Sequence, residues 1–130
     1  EIDSLVECDY WLTEVYVALK DPVNIIHHGQ RALDFFTVLG DDRKVWTLKY
    51  FLGIAHRLLN DLETASRLYD EARNLAVAMG WKEWEFLIKV DTAVADLYET
   101  DGMHEYAAEI LRRVKSVQEL AAKDVCDEAA

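Results

Sequence analysis

Four histidines and a surplus of carboxylates, 25 acids against 14 bases, are the groups of this chain with chemistry to offer. Their spacing decides which chemistry is open to them. His27 and His28 are adjacent, so on a helix their rings diverge by about 100° and cannot share a tetrahedral ion unaided. His104 falls in the first turn of a helical stretch, next to Glu105. Glu14, Asp91, Asp96 and Glu99 stand on helical stretches with no evident partner to perturb their acidity, and they read as a solvated charged face. A glycine-rich phosphate loop and a Cys-His nucleophile arrangement are both missing. The sequence therefore predicts no enzyme, no metal and no cofactor, and directs attention to the elements that carry these side chains.

Those elements repeat. Leu12, Tyr16, Ile25 and Ala32 recur as Leu52, His56, Ala65 and Ala72, an offset of 40, and again as Val94, Tyr98, Ala107 and Val114, an offset of 42. His56 thus stands where its equivalents are tyrosines, which points to a packing role. A period in this range marks a solenoid, in which each unit covers the apolar face of the next. Leu5, Cys8, Leu12, Val15, Tyr16 and Leu19 follow the three-four spacing of a helix with one buried face, as do Val45, Leu48, Leu52, Ala55 and Leu59, and Leu87, Val90, Val94, Leu97 and Tyr98. These are the first helices of three hairpins. The second helices carry Ile25, Ala32, Phe35 and Leu39, then Ala65, Leu68, Tyr69, Ala72, Leu75 and Met79, then Ala107, Leu111, Val114 and Val117. Gly53, Ala95, Ala32, Ala65, Ala72 and Ala107 are the small residues that let the two helices of a hairpin approach.

Turn chemistry sets the boundaries. Asp21-Pro22 supplies a cap and a first-turn proline, Asn60-Asp61 and Asp101-Gly102 mark the equivalent joints, and Gly40 and Gly80 follow Leu39 and Met79 as helix-ending glycines, with Asp41 or Asp42 capping the next helix. Helices are predicted at 3–20, 22–39, 42–59, 61–79, 82–100 and 103–122. The repeats then occupy 3–39, 42–79 and 82–122 of one domain (1–122), with a polar tail at 123–130.

Composition narrows the partner. The net charge of −11 argues against a nucleic-acid backbone and against an anionic membrane surface. The acid gathers at the two ends, which favours a basic or apolar partner through steering. Cys8 and Cys126 make no disulfide framework, which suits a reducing, cytoplasmic compartment. No apolar run approaches the ~18 residues that span a bilayer, and no signal peptide is visible. The chain opens at Glu1 and reads as part of a larger protein.

The segment Leu52-Gly53-Ile54-Ala55-His56, then Asn60-Asp61-Leu62-Glu63-Thr64-Ala65, then Tyr69-Asp70-Glu71-Ala72, resembles a tetratricopeptide (TPR) repeat. The family pattern is a Leu-Gly pair, an aromatic, a tight polar turn, then Ala, a large aromatic and Ala. The likeness extends over all three units. Thr13 and Ala95 depart from it at the first-helix glycine, and Gly29 departs at the second-helix aromatic. The period exceeds the common 34 residues. It is similar to the long-period subclass seen in kinesin light chains, the LGN/Pins polarity adaptors and maltose-activator-type regulators. The resemblance implies an all-α, right-handed solenoid of helix hairpins whose first helices line a concave groove.

On that implication the groove residues are Tyr10, Trp11, Glu14 and Val17 in the first unit. They are Thr47, Tyr50, Phe51, Ile54 and Arg57 in the second, and Lys89, Thr92, Asp96 and Glu99 in the third. Chaperone-binding relatives clamp a C-terminal carboxylate here with Lys, Arg and Asn. The matching places carry Glu14, Ile54 and Asp96, so an aromatic and acidic groove is expected to take a protein or peptide segment with apolar anchors and positive charge. The aromatics Tyr10, Trp11, Tyr50 and Phe51 equally suit packing between hairpins. Trp81 and Trp84 fall in the stretch that lengthens the second interval, and they either form a secondary contact or cover the junction below. The expected function is a scaffold or adaptor module. The rivals are an effector-binding sensor domain of a larger regulator, and a structural spacer or self-association unit. The last hairpin lacks a polar capping helix, so association into a homodimer, or end to end, is also expected.

Overall fold

Local sequence punctuation and helical periodicity together produce six helices: α1 (Ile2–Ala18), α2 (Pro22–Leu39), α3 (Asp42–Leu58), α4 (Leu62–Ala78), α5 (Trp84–Thr100) and α6 (His104–Ala129). The computed structural model describes residues 2–79 and 83–129, and the side chains of all of these except 2, 3, 125 and 127–129. Among the described residues there is no strand. The fold is all-α, as the periodicity predicts. Helix ends fall within two residues of the expected ones except at the last, where α6 continues through the segment read as a polar tail.

The caps form as their residue types dictate. Asp21, Asp41 and Asp61 each accept the backbone N–H three residues on, from Asn24, Lys44 and Thr64, at 3.3 Å. Gly40 ends α2 at φ 80°, its N–H reaching the carbonyls of Phe36 and Thr37. Gly80 lies outside the described residues. The joint inside each hairpin is one turn built three times. Lys20, Asn60 and Gly102 take left-handed φ values of 56°, 64° and 80°. The next N–H, of Asp21, Asp61 or Met103, reaches back to the carbonyl of Tyr16, His56 or Tyr98 at 2.8–3.0 Å. The sequence period is therefore a period in backbone geometry.

The chain divides into two compact units, 1–75 and 76–130, with the boundary inside α4. In the first, α1 packs on α2, and α3 packs on both. Its core joins Ala32, Leu33 and Phe36 of α2 to Val45, Leu48 and Leu52 of α3 and Leu68 of α4, flanked by Val6, Tyr10, Ile26, Phe35, Phe51 and Leu75. In the second, α5 packs on α6. There α5 buries Leu87, Val90, Asp91, Val94, Ala95 and Leu97, and α6 buries Ala107, Ile110 and Val114.

One expectation is overturned on α1. The stripe Leu5, Cys8, Leu12, Val15 and Leu19, read as the buried face, is exposed, and the side chains turned inward are Asp9 and Thr13 with half-buried Val6, Tyr10, Tyr16 and Val17. The periodicity locates an apolar face correctly, but nothing in the described structure lies against this one. Leu39, Leu59, Met79 and Leu111, each read into a buried stripe, are likewise half or more exposed, because they fall at helix ends or on the outer face of the last hairpin. Asp91, read as part of a solvated face, is buried at 1% exposure, with the Arg113 guanidinium 4.0 Å from its carboxylate.

Two cross-helix pairs recur in the hairpins. The first is a volume exchange. A Cβ built on Gly53 would lie 2.5 Å from the Tyr69 ring, and one built on Gly29 would lie 3.3 Å from Thr13. The equivalent Ala95 and Leu111 line one cleft. Positions 13/29, 53/69 and 95/111 thus hold Thr/Gly, Gly/Tyr and Ala/Leu, so each departure from the family pattern on one helix is met by the opposite change of size across from it. The second is an ion pair: Asp9–Arg31 at 3.2 Å, Lys49–Glu71 at 2.8 Å and Asp91–Arg113 at 4.0 Å. Each spans 22 residues, and the sign is inverted in the middle hairpin.

Candidate functional site

In the first unit, Tyr10, Glu14 and Val17 form a row along α1, and Thr47, Tyr50, Ile54 and Arg57 form one along α3, because residues three and four apart share a helix face. The packing of α1 on α3 brings the rows together. The Tyr10 phenol reaches the Thr47 side chain across the two helices. Its ring lies edge-on to Phe36, at 6.0 Å, and to Trp11, at 5.2 Å. The Lys44 ammonium sits 5.8 Å from the Tyr10 ring centre and 5.2 Å from that of Phe36, within cation–π range. Burial raises the Tyr10 phenol above its ordinary value of 10, with Glu14 and Asp41 pushing the same way and the Thr47 hydrogen bond opposing.

Further along α3, Tyr50 lies against Phe51, at 5.9 Å, and against Tyr69, at 6.0 Å. Burial raises its phenol too. Tyr50, Phe51, Ile54 and Arg57 are half-buried, whereas Trp11 is 59% exposed and Glu14 is exposed. The surface therefore has a partly submerged aromatic floor, one projecting indole and a carboxylate beside it. Such an arrangement can hold an apolar side chain and a cation together.

In the second unit, Thr92, Asp96 and Glu99 of α5 line an open cleft of about 300 Å³ whose apolar floor is Ala95, Ala107 and Leu111. The small residues that let α5 and α6 approach also hollow this cleft. Glu99 is paired with His104 at the start of α6. Lys89 is exposed one turn before Thr92. Trp84 is half-buried at the first turn of α5, and Trp81 lies outside the described residues. The candidate residues thus form two groups, one in each unit.

Sequence reasoning passed over one polar cluster. Asp9, on the inner face of α1, has its carboxylate 2.8 Å from His28 Nδ1 and 3.2 Å from Arg31 Nε. Tyr16 stacks on the His28 ring at 5.5 Å, and His27 meets it edge-on at 4.8 Å. Thr13 donates its hydroxyl to the Asp9 backbone carbonyl at 2.6 Å. The internal repeat held the signal: Asp9 is the equivalent of Lys49 and Asp91, and Arg31 of Glu71 and Arg113. Of the other histidines, His56 lies 3.5 Å from Asp61. Among the described residues, no group of three or more His, Cys, Asp and Glu side chains is placed to hold a metal ion, and no helix is long and apolar enough to cross a membrane.

No family model matches the sequence, and no curated protein matches it. The fold does have a solved counterpart. The crystal structure of the TPR domain of Arabidopsis FLU superimposes with a TM-score of 0.77 at 14% identity, covering 92% of this chain and 99% of that one. At that identity the likeness is one of fold: the chain has the helical-repeat architecture of a TPR domain.

Proposed function

We propose that this chain is a non-catalytic protein-interaction module of the scaffold or adaptor kind, with the long-period TPR organisation described above. It binds a partner segment with apolar anchors and positive charge. The observation that carries this reading is the surface on α1 and α3 where Tyr10, Trp11, Glu14, Thr47 and Tyr50 come together: a projecting indole and a carboxylate over a half-buried aromatic floor. Buried aromatics dominate contacts of this type, and a carboxylate beside them selects cations. The two free, exposed cysteines suit a cytoplasmic setting.

The test is selection from a displayed peptide library, followed by calorimetry on the winners. Peptides carrying Lys or Arg near an aromatic or aliphatic anchor are expected, with binding weakened at least tenfold in the Trp11→Ala/Tyr50→Ala variant and weakened by salt in the Glu14→Gln variant less than in the parent. Enrichment of acidic peptides, or binding indifferent to both changes, would sink this reading.

The cleft of Thr92, Asp96 and Glu99 favours a second reading, in which the second unit senses a small cationic effector, since its volume lies at the lower end of ligand pockets. A thermal-shift screen of small amines separates the two. Stabilisation abolished by Asp96→Asn supports sensing, and its absence across the screen leaves the adaptor reading.

A further inference from the structure

The apolar stripe of α1 is the feature that the proposed partner surface does not use. Leu5, Cys8, Leu12 and Val15 are the register equivalents of Val45, Leu48, Leu52 and Ala55, which are buried at 0–6% exposure, the first three in the core with α2. On α1 the leucines and valine of this set, with Leu19, are 37–66% exposed, and Trp11 at their edge is 59% exposed. The same chemistry that seats a helix on α3 is unoccupied on α1.

We infer that this stripe is the interface of a twofold homodimer, with α1 of one copy lying antiparallel against α1 of another. The spacing 5, 8, 12, 15, 19 alternates three and four, the seam of a two-helix coil. Antiparallel pairing centred near residue 10 sets Leu5 against the second copy's Val15, and Cys8 against its Leu12. The four layers so formed, with Leu19 lying past the last of them, are apolar, and the contact closes on itself as a twofold interface must. The positions that flank such a seam carry no like charges towards the second copy. One flank is Ser4, Trp11 and Ala18, and on the other Asp9 and Tyr16 are engaged with α2. The acids Glu7 and Glu14 lie well round the helix from the seam, at about 120° and 140° by the 100° step.

Area also points to a second copy. Two such faces laid together remove on the order of 1,000 Å² from water, the size at which specific interfaces begin. Antiparallel helices oppose their dipoles favourably. The net charge of −11 on each copy acts the other way, at long range, so association should strengthen with salt.

The test is sedimentation equilibrium of the intact chain from about 1 μM to 1 mM, at low and high salt, beside Leu5→Glu/Leu12→Glu. Both residues are exposed, so the variant should keep its helix content by circular dichroism. The expected result is a salt-strengthened dimer, weakened by roughly a hundredfold in the variant. For geometry, Leu5→Cys and Val15→Cys are made separately in a chain with Cys8→Ser and Cys126→Ser. Mixed, the two should cross-link to each other faster than either does to itself. A monomer at every concentration overturns the proposal and leaves the stripe to some other segment or protein. A dimer that survives Leu5→Glu/Leu12→Glu but is lost in Leu111→Glu/Leu120→Glu overturns it in favour of the last hairpin. Cross-linking within a single variant overturns the antiparallel register.

Discussion

The sharpest consequence of the packing concerns Gly53. An alanine there would set its Cβ 2.5 Å from Cε1 and 2.7 Å from Cδ1 of Tyr69, where ordinary contact begins near 3.4 Å. The ring cannot swing away, because Tyr69 is 1% exposed and lies in contact with Tyr50. Relief therefore requires α3 and α4 to part by something near an ångström, and a gap of 0.5–1 Å forfeits a quarter to a half of each dispersion contact along the interface. Overpacking of this kind costs about 1–3 kcal/mol. Against it stands the helix propensity of alanine over glycine, about 1 kcal/mol. The clash wins, by up to about 2 kcal/mol, and the urea midpoint should fall by up to roughly 1 M at the m-values of small domains.

The internal repeat supplies the rescue. Tyr69→Leu alone leaves a hole beside Gly53 and should cost about 2–4 kcal/mol. Gly53→Ala/Tyr69→Leu reproduces the Ala95/Leu111 pair of the third hairpin, so the double variant should be more stable than the sum of the two losses allows, with a coupling of about 1–2 kcal/mol. Urea unfolding followed by far-ultraviolet circular dichroism measures all four corners of the cycle. A neutral or stabilising Gly53→Ala, or strict additivity in the double variant, would refute the claim that volume is exchanged across this pair.

Four further outcomes follow from single contacts. Lys20 holds a left-handed φ of 56° at the joint where the third hairpin uses Gly102, so Lys20→Gly should stabilise the chain by about 1 kcal/mol, read as a higher melting temperature. The Glu71 carboxyl is held below its ordinary value of 4.5, first by the Lys49 hydrogen bond. That stability is present above the unfolded pKa and is lost as pH falls through the lower folded one, so Glu71→Gln should flatten the fall in melting temperature between about pH 5 and 3. His28→Leu leaves the buried Asp9 carboxylate with only a half-exposed guanidinium and should destabilise more than Arg31→Met does, by thermal unfolding. Tyr10 and Tyr50, both raised by burial, should titrate late in the ultraviolet, the late component shrinking in Tyr50→Phe, and the stability tied to their neutral forms is lost only as pH climbs beyond 10.

Helices and joints were legible because their determinants are local: Asp21, Asp41 and Asp61 cap whatever follows them, and a stripe at positions such as 45, 48 and 52 makes a helix wherever it lies. Period alone says which face is apolar, not whether a neighbour exists to cover it. Hence Leu48 and Cys8 read alike, yet one is buried and the other exposed. Register against the family pattern was the basis of the groove residues, of which Tyr10 lies beside Thr47. It could not reveal Asp9, because an acid on an inner face looks solvated until its partner 22 residues away is recognised. Asp91 was misread for the same reason.

That partner explains why a chain with loosely matching repeats forms the right hairpins. The first helices offer Asp9, Lys49 and Asp91 inward, and the second helices answer with Arg31, Glu71 and Arg113. Were α1 or α5 to dock on α4, an aspartate would face Glu71, and were α3 to dock on α2 or α6, a lysine would face an arginine. Pairs of this kind, with Asp9 and Asp91 buried and their arginines half-exposed, contribute little net stability, because desolvation offsets the attraction. Their effect on mispairing is larger, because a like-charged contact inside a helix interface leaves both groups desolvated without compensation. The inverted sign in the middle hairpin is thus worth more against wrong neighbours than for the right one. The volume exchange acts in the same direction. Gly53 accepts the ring of Tyr69 where Thr13 would clash with it, and Gly29 leaves room for Thr13 where Tyr69 would leave none. Charge and size at two positions per hairpin distinguish three units that the apolar stripes alone would leave interchangeable.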